Sequence, residues 1–139
     1  MSMVDLLKQI HLATSGKAII VGGVARWLNG YREKDLGRWI DISIPSKYIN
    51  EISSLGRRGD IQGDTTFKYP VIGQFVVVTE DKYILDVFVQ DEPTEYTFIS
   101  GSNVITPQSD LQWHTNMSGS IQSEHLHKKV NRLKDTYNL

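Results

Sequence analysis

Residues 17–45 read KAIIVGGVARWLNGYREKDLGRWIDISIP, and this stretch decides the fold. It opens with a short apolar run at 17–21, which is typical of a buried strand. The run ends at Gly22-Gly23, and residues 24–30 then predict a helix of one or two turns. The stretch therefore predicts a strand that passes through a glycine turn directly into a helix.

The same stretch ends in a second predicted strand, which follows a charged loop at 31–38. In the strand, WIDISI at 39–44, polar and apolar residues alternate with a period of two. This alternation places Trp39, Asp41 and Ser43 on one face and three isoleucines on the other. Pro45 then ends the strand, because proline cannot donate a hydrogen bond to a neighbouring strand.

The elements on either side complete an α/β pattern. The sequence predicts helices at 3–14, 46–55, 110–117 and 120–137, a hairpin of strands at 74–79 and 83–90, and an edge strand at 94–99. Helices that alternate with strands and hairpins are typical of a mixed sheet with helices packed against it. We therefore expect one α/β (α+β) domain across residues 1–139.

The composition excludes several kinds of protein. Apolar residues make up 40% of the 139-residue chain and charged residues 22%, which is ordinary for a globular domain. The chain has no cysteine, which excludes disulfides, thiolate zinc sites and a cysteine nucleophile. The net charge of −1 means that any nucleic-acid contact must rest on a local basic patch. Without a long apolar run we expect no membrane segment and a cytoplasmic location.

Two carboxylates stand inside otherwise apolar strands. Asp41 lies between isoleucines, and Asp86 lies in the run LDVFV. A buried acid needs a partner, a solvent cleft or a metal ion, and two acids on two strands can hold one divalent cation. The structural alternatives are a solvent-facing Asp86 and an Asp41 that is paired with Arg26 or Arg38.

The run VGGVARWLNGYREKDLGRWIDISIP resembles the signature of the nucleotidyltransferase-fold superfamily. In that signature a glycine pair precedes a helix, a later strand carries two Asp residues one residue apart, and a third carboxylate follows. Gly22 and Gly23 match the glycines, Asp41 matches the second Asp, and Asp86 matches the third carboxylate. The resemblance implies that Asp41 and Asp86 are catalytic and bind Mg²⁺, and that the glycines hold the phosphates of a nucleoside triphosphate (NTP). It also implies nucleotide contacts for Arg26, Ser43 and Trp39.

The chain departs from this pattern at Trp39, which occupies the position of the first Asp. A shift of the register by two residues would instead put Asp41 at the first acid position and Ser43 at the second. The preceding loop would then no longer have the length that the pattern requires. One acid is missing in either alignment, and Glu33 or Asp35 could replace it. The Trp39 ring either packs into the emptied cleft, which we expect, or stacks on a nucleotide base.

Basic residues concentrate near the end of the chain. Lys128, Lys129, Arg132 and Lys134, together with His125 and His127, form either a phosphate-contacting face or a solvated helix face.

Three functions follow from these observations. The first is an enzyme that transfers a nucleoside monophosphate from an NTP to a hydroxyl of RNA, a protein or a small molecule. The second is a pseudoenzyme that keeps the fold and a nucleotide or partner site without turnover. The third is a small RNA-binding module that uses the basic C-terminal helix.

Overall fold

The computed structural model describes residues 2–31, 37–61, 71–92, 94–120 and 124–139. Its helices are α1 (Met3–Ala13), α2 (Gly22–Leu28), α3 (Ile49–Ser53), α4 (Pro107–Ser120) and α5 (Glu124–Tyr137), with a 3-10 turn at Ser46–Tyr48. Its strands are β1 (Ile19–Val21), β2 (Trp39–Ile44), β3 (Arg57–Arg58), β4 (Gly73–Val78), β5 (Ile84–Val89), β6 (Tyr96–Ile99) and β7 (Ser102–Ile105). In this described part of the chain, no helix is long and apolar enough to span a membrane.

The strands form one mixed sheet in the order β3-β4-β5-β2-β1-β7-β6. Strand β2 lies at its centre, antiparallel to β1 on one side and parallel to β5 on the other. The predicted hairpin is present as β4 and β5, which pair antiparallel along their whole lengths. The mixed α/β class that the sequence predicts is confirmed.

One face of the sheet carries the hydrophobic core. The three isoleucines of β2, Ile40, Ile42 and Ile44, are each 0% exposed. Leu6, Leu7 and Ile10 of α1 belong to the same cluster. Burial of each such side chain contributes about 1.5–3 kcal/mol, so this face fixes the register of the central strands.

The pairing of β6 with β7 is a feature that the sequence did not predict. Only the first of these strands was expected, at 94–99. The second, SNVI at 102–105, begins with two polar residues and has no strand pattern. Asn103 is nevertheless buried, and its Nδ2 donates to the carbonyl oxygens of Gly16 (2.7 Å) and Ala18 (3.2 Å). Ser100 and Gly101 join the strands with φ angles of 51° and 85°, as a type I′ hairpin turn requires.

Several predicted boundaries also move. Helix α2 starts at Gly22 rather than after the glycines, α4 is longer than expected at both ends, and the expected helix at 46–55 is a 3-10 turn followed by α3. The two-residue β3 was not predicted, because Arg57-Arg58 has no alternating pattern. These shifts leave the order of the predicted elements unchanged.

Candidate functional site

Asp41 and Asp86 lie side by side on the central strands. The parallel register of β2 and β5 makes them direct cross-strand partners. Each side chain is half-buried, whereas its neighbours along the strand belong to the core face. Residues 45 positions apart in the sequence thus place two carboxylates on one half-open face of the sheet.

Both carboxylates have pKa values above the ordinary value of aspartate. Burial, followed by the charge of Asp86, raises the pKa of Asp41 to about 6. Burial also raises the pKa of Asp86, although the side chain of Gln74 on β4 opposes this by donating a hydrogen bond to its Oδ1. Two like charges in a partly desolvated site disfavour the doubly ionised state unless a cation offsets them.

The glycine turn touches this pair. Gly22 has a φ of +68°, a conformation that favours glycine, and a Cβ built on it would lie 3.0 Å from Cγ of Asp41 and closer still to its Oδ2. Val21, the residue before it, pairs with Asp41 across β1 and β2. Gly22 is therefore required both by the backbone angle and by the space that the carboxylate occupies.

The arginines that were alternatives as partners of Asp41 make their direct contacts elsewhere. Nη1 of Arg26 lies 3.0 Å from Oδ2 of Asp110 on α4. Nη1 of Arg38 donates to the carbonyl oxygen of Asp81, and its guanidinium lies 4.7 Å from the centre of the Tyr83 ring. The alternative of a direct ion pair with Asp41 is therefore not found among the described residues, although the charge of Arg26 lowers the pKa of Asp41.

Asp110 forms a second carboxylate centre, which we call the Asp110 cluster: Arg26, Asp110, His114 and Tyr137. Asp110 is 1% exposed and its Oδ2 accepts hydrogen bonds from Arg26 and from the Tyr137 hydroxyl. Nδ1 of His114 lies 2.9 Å from the Asp110 carbonyl oxygen and 3.1 Å from Oδ1. Burial would raise the pKa of Asp110, but His114, Tyr137 and Arg26 together lower it. The cluster joins α2, α4 and α5.

Among the four basic residues of the C-terminal helix, Lys129 differs from the rest. Lys128, Arg132 and Lys134 are exposed, and Lys129 is half-buried. Burial, followed by the charge of Arg26, lowers the pKa of Lys129, whereas the charges of Asp41 and Asp110 raise it. The electrostatic interaction with Asp41 is mutual, so α5 supplies a positive charge to Asp41. The side chains of His125 and His127 lie outside the described residues.

Trp39 does not fill the cleft. The ring was expected to pack, but it is 54% exposed, so that expectation is wrong. The register explains this: β1 ends at Val21, opposite Asp41, so the first residue of β2 extends beyond β1 and has a strand neighbour only in β5, at Ile84. The indole thus lies at the open end of β2, two residues from Asp41.

The donor set fits one divalent cation better than two. Carboxylate oxygens are the ligands that Mg²⁺ prefers, and a cation would offset the burial and the Asp86 charge that raise the pKa of Asp41. Within the described residues, no group of three or more His, Cys, Asp or Glu side chains comes together. Glu33 and Asp35, the predicted replacements for the missing acid, lie outside those residues.

Ser43 is separated from the other predicted nucleotide contacts. It is 5% exposed and lines a small cavity near the other end of β2, together with residues of β1, β6 and β7. The sequence analysis did not predict the Asp110 cluster. Its acid, histidine and tyrosine lie in predicted helices near the C-terminal end, and no recognisable motif joins them.

Comparison with solved structures shows a nucleotidyltransferase-like fold. ANT(2")-Ia, an aminoglycoside nucleotidyltransferase in complex with adenylyl-2"-tobramycin, aligns over 100% of this chain and 91% of its own, with a TM-score of 0.58 and 13% identity. The Megavirus polyadenylate synthase aligns over 96% of this chain with a TM-score of 0.56 and 12% identity, and this chain spans 32% of its length. No family model and no curated protein matches the sequence.

Proposed function

We propose that this protein binds an NTP at the Gly22-Gly23 turn and transfers its nucleoside monophosphate to a hydroxyl acceptor, with Asp41 and Asp86 holding Mg²⁺. The observation that carries the proposal is the cross-strand pairing of Asp41 with Asp86, in contact with Gly22. A glycine turn that opens a helix beside two carboxylates brings phosphate-binding amides and cation ligands to one place.

Each residue of the site has a definite part in this proposal. The hydrogen bond from Gln74 fixes the orientation of the Asp86 carboxylate, while Gly22 permits the close approach of the backbone to Asp41. Lys129 provides a half-buried positive charge for the phosphates. Bound Mg²⁺ would neutralise charge on the triphosphate and lower the pKa of the attacking hydroxyl. The exposed Trp39 ring would stack on the base, a contact worth about 1–3 kcal/mol.

The two solved neighbours support different acceptors. An adenylylated small molecule is bound to ANT(2")-Ia, and a polyadenylate synthase has a polynucleotide product. The class of acceptor is therefore left to experiment, with RNA, a protein and a small molecule as the candidates.

A nucleotide-binding pseudoenzyme is the second candidate, and Trp39 is the observation that favours it. An aromatic ring stands where the resemblance places a carboxylate that both ions of a two-metal mechanism would share. The described residues provide two carboxylates at this place. Two carboxylates can hold one cation for nucleotide binding, but they would leave phosphoryl transfer slow or absent.

Calorimetric titration of Mg²⁺–ATP tests both candidates. Trp39→Ala and Trp39→Asp both remove the ring, so their difference isolates the added carboxylate. We expect Trp39→Ala to bind about fivefold more weakly than the native protein, from the loss of stacking. Trp39→Asp should bind at least about tenfold more tightly than Trp39→Ala, equivalent to roughly 1.4 kcal/mol. Because the ring is exposed, neither change should alter stability by more than about 0.5 kcal/mol.

The outcomes separate the alternatives. Tight, Mg²⁺-dependent binding with pyrophosphate release by the native protein, both abolished by Asp41→Asn, would support the transferase. Binding without pyrophosphate release, restored to turnover in Trp39→Asp, would support the pseudoenzyme. Equal binding by all of these variants would place nucleotide away from the carboxylate pair and reject both.

A further inference from the structure

The sheet ends in two edge strands of opposite character, β3 and β6. Strand β3 is two residues long, and both residues, Arg57 and Arg58, are exposed and charged. Strand β6 is four residues long, reads YTFI at 96–99, and contains no charged residue and no proline. Short length and charge keep an edge strand from pairing with a strand of another molecule. Strand β3 has this protection, and β6 lacks it.

The backbone of β6 presents hydrogen-bonding groups on its outer side. The backbone N–H of the residue that follows β7 donates to the Glu95 carbonyl oxygen at 3.2 Å, so Glu95 faces β7. Because the residues of an antiparallel strand face their partner alternately, Thr97 and Ile99 also bond to β7. The backbone N–H and C=O groups of Tyr96 and Phe98 therefore point away from the sheet. Among the described residues, those outward groups have no backbone partner.

The same two residues carry exposed aromatic rings on one face of the strand. Tyr96 is 52% exposed and Phe98 is 63% exposed. Of the large apolar side chains that are exposed in the described part of the chain, these are the two that lie two positions apart on one strand. Aromatic residues are enriched in protein interfaces. A strand that covered β6 would bury two rings and satisfy four backbone groups.

One two-fold register pairs β6 with a second copy of itself. With Thr97 opposite Thr97 of the second copy, Tyr96 of each copy lies opposite Phe98 of the other. Both residues of such a pair face outward, so each pair exchanges two backbone hydrogen bonds and also joins two aromatic rings across the strands. Glu95 then lies opposite Ile99 of the second copy, so no two charges face each other.

This pairing is self-limiting. A two-fold axis uses the same edge of both copies. The edges that remain are the two β3 strands, which are short and consist of arginine. No unprotected edge is left for a third copy, so association stops at the dimer.

From these features we infer that the protein forms a homodimer by antiparallel pairing of β6 with β6 of a second copy, which joins the two sheets into one. The occupant of the edge is a second copy because β6 itself supplies the aromatic rings and the outward backbone groups that the edge requires. The inference does not depend on nucleotide transfer, because the carboxylate pair lies on β2 and β5, away from this edge.

Complementary charge variants test the partner and the register together. Sedimentation equilibrium of the native 139-residue chain should show a dimer with a Kd of about 1–100 μM, as expected for a small interface. The double variant Tyr96→Lys, Phe98→Lys places lysine opposite lysine, and the double variant Tyr96→Glu, Phe98→Glu places glutamate opposite glutamate. Each should dimerise at least about tenfold more weakly, and an equimolar mixture of the two should recover a heterodimer.

Two controls accompany these variants. Ile72→Lys charges an exposed apolar residue beside β4 and should leave the Kd of the native dimer unchanged. Because the rings of Tyr96 and Phe98 are exposed, both double variants should keep the native far-ultraviolet circular dichroism.

A single introduced cysteine reports the register, because the native chain has none. Thr97→Cys places two thiols on opposite residues of a non-hydrogen-bonded pair, where the Cα atoms lie about 4.5 Å apart and a disulfide can form. In the matched variant Glu95→Cys the two cysteines are displaced by four residues along the strands, or about 13 Å. Under mild oxidation, Thr97→Cys should cross-link at least about tenfold faster.

Several results would overturn the inference. A native chain that stays monomeric at millimolar concentration would leave the edge to solvent or to a strand of another protein. Undiminished dimerisation by either charge variant, or no heterodimer in their mixture, would place the interface elsewhere. Equal cross-linking by Thr97→Cys and Glu95→Cys would reject the register.

Discussion

Asp41 and Asp110 are both largely removed from water, yet their environments push their pKa values in opposite directions. Asp41 faces another carboxylate and has a pKa of about 6. Asp110 accepts hydrogen bonds from Arg26 and Tyr137 and lies beside His114, and its pKa is lowered. The difference comes from the partners, because burial alone would raise both values.

The comparison separates a carboxylate that joins helices from one to which we assign a role in the proposed function. The Asp110 cluster supplies its own positive charge and donors, so it holds three helices together without a ligand. The Asp41–Asp86 pair brings like charges together, which is costly for the folded chain alone, and the proposed cation would offset this cost. An acid that destabilises the free protein is a stronger indication of function than one that stabilises it.

Removal of each acid should give the largest difference in the free energy of unfolding. Asp110→Ala leaves Arg26 and the Tyr137 hydroxyl without their partner, so the free energy of unfolding should fall by about 3–5 kcal/mol. Asp41→Ala removes a like-charge repulsion, so at neutral pH without divalent cations it should be neutral or stabilising. Urea unfolding of both variants measures the difference. A smaller loss of unfolding free energy for Asp110→Ala than for Asp41→Ala would contradict the roles assigned to the two acids.

The pH dependence of stability should carry opposite signs at the two sites. The folded pKa of Asp41 is raised, so the folded state binds more protons than the unfolded one between about pH 4 and 6, and the free energy of unfolding falls as pH rises through that window. After solvent screening we expect a fall of about 1–2 kcal/mol. The folded pKa of Asp110 is lowered, so its contribution is lost only as pH falls below the ordinary range of aspartate.

Urea titrations across this range, with a chelator present, test the assignment. Asp41→Asn should flatten the decline between about pH 4 and 6, and it should leave the loss of stability in stronger acid intact. A decline that persists in Asp41→Asn and also in Asp86→Asn would mean that other groups cause it.

Addition of Mg²⁺ should produce the smallest of these changes in the free energy of unfolding. At about five times its Kd, an ion that binds only the folded state stabilises it by about 1 kcal/mol, or roughly 3 °C in Tm. We expect this stabilisation near pH 8 and its loss in Asp86→Asn, because two carboxylates form the proposed site. Ca²⁺ in place of Mg²⁺ tests the preference for the smaller ion. A Tm shift that survives in Asp86→Asn would locate the cation elsewhere.

Much of the sheet, and the strand faces on which its two carboxylates lie, could be predicted from local patterns. Alternation in WIDISI and in YILDVFVQ placed Asp41 and Asp86 on the polar faces of their strands, because the period of a strand is two. The structure then brings the two faces together through the parallel register of β2 and β5. That register depends on contacts between distant segments, and no local pattern contains it.

The errors arise where tertiary contacts override local character. Trp39 was expected to pack into the cleft left by the missing acid, and it is exposed because β1 is only three residues long. Arg26 was a candidate partner for Asp41, and it pairs instead with an acid 84 residues away. Strand β7 was missed because Ser102 and Asn103 are polar, although both are buried. Each case depends on a neighbour that is distant in the sequence.

The exposed indole of Trp39 also makes the site visible to spectroscopy. The other two tryptophans, Trp27 and Trp113, are half-buried, whereas Trp39 is 54% exposed. Its emission should therefore lie at the longest wavelength of the three and be the most accessible to a dissolved quencher such as iodide. Any molecule that covers the open end of β2 would shield it, so the intrinsic fluorescence of the unlabelled chain reports occupancy two residues from Asp41.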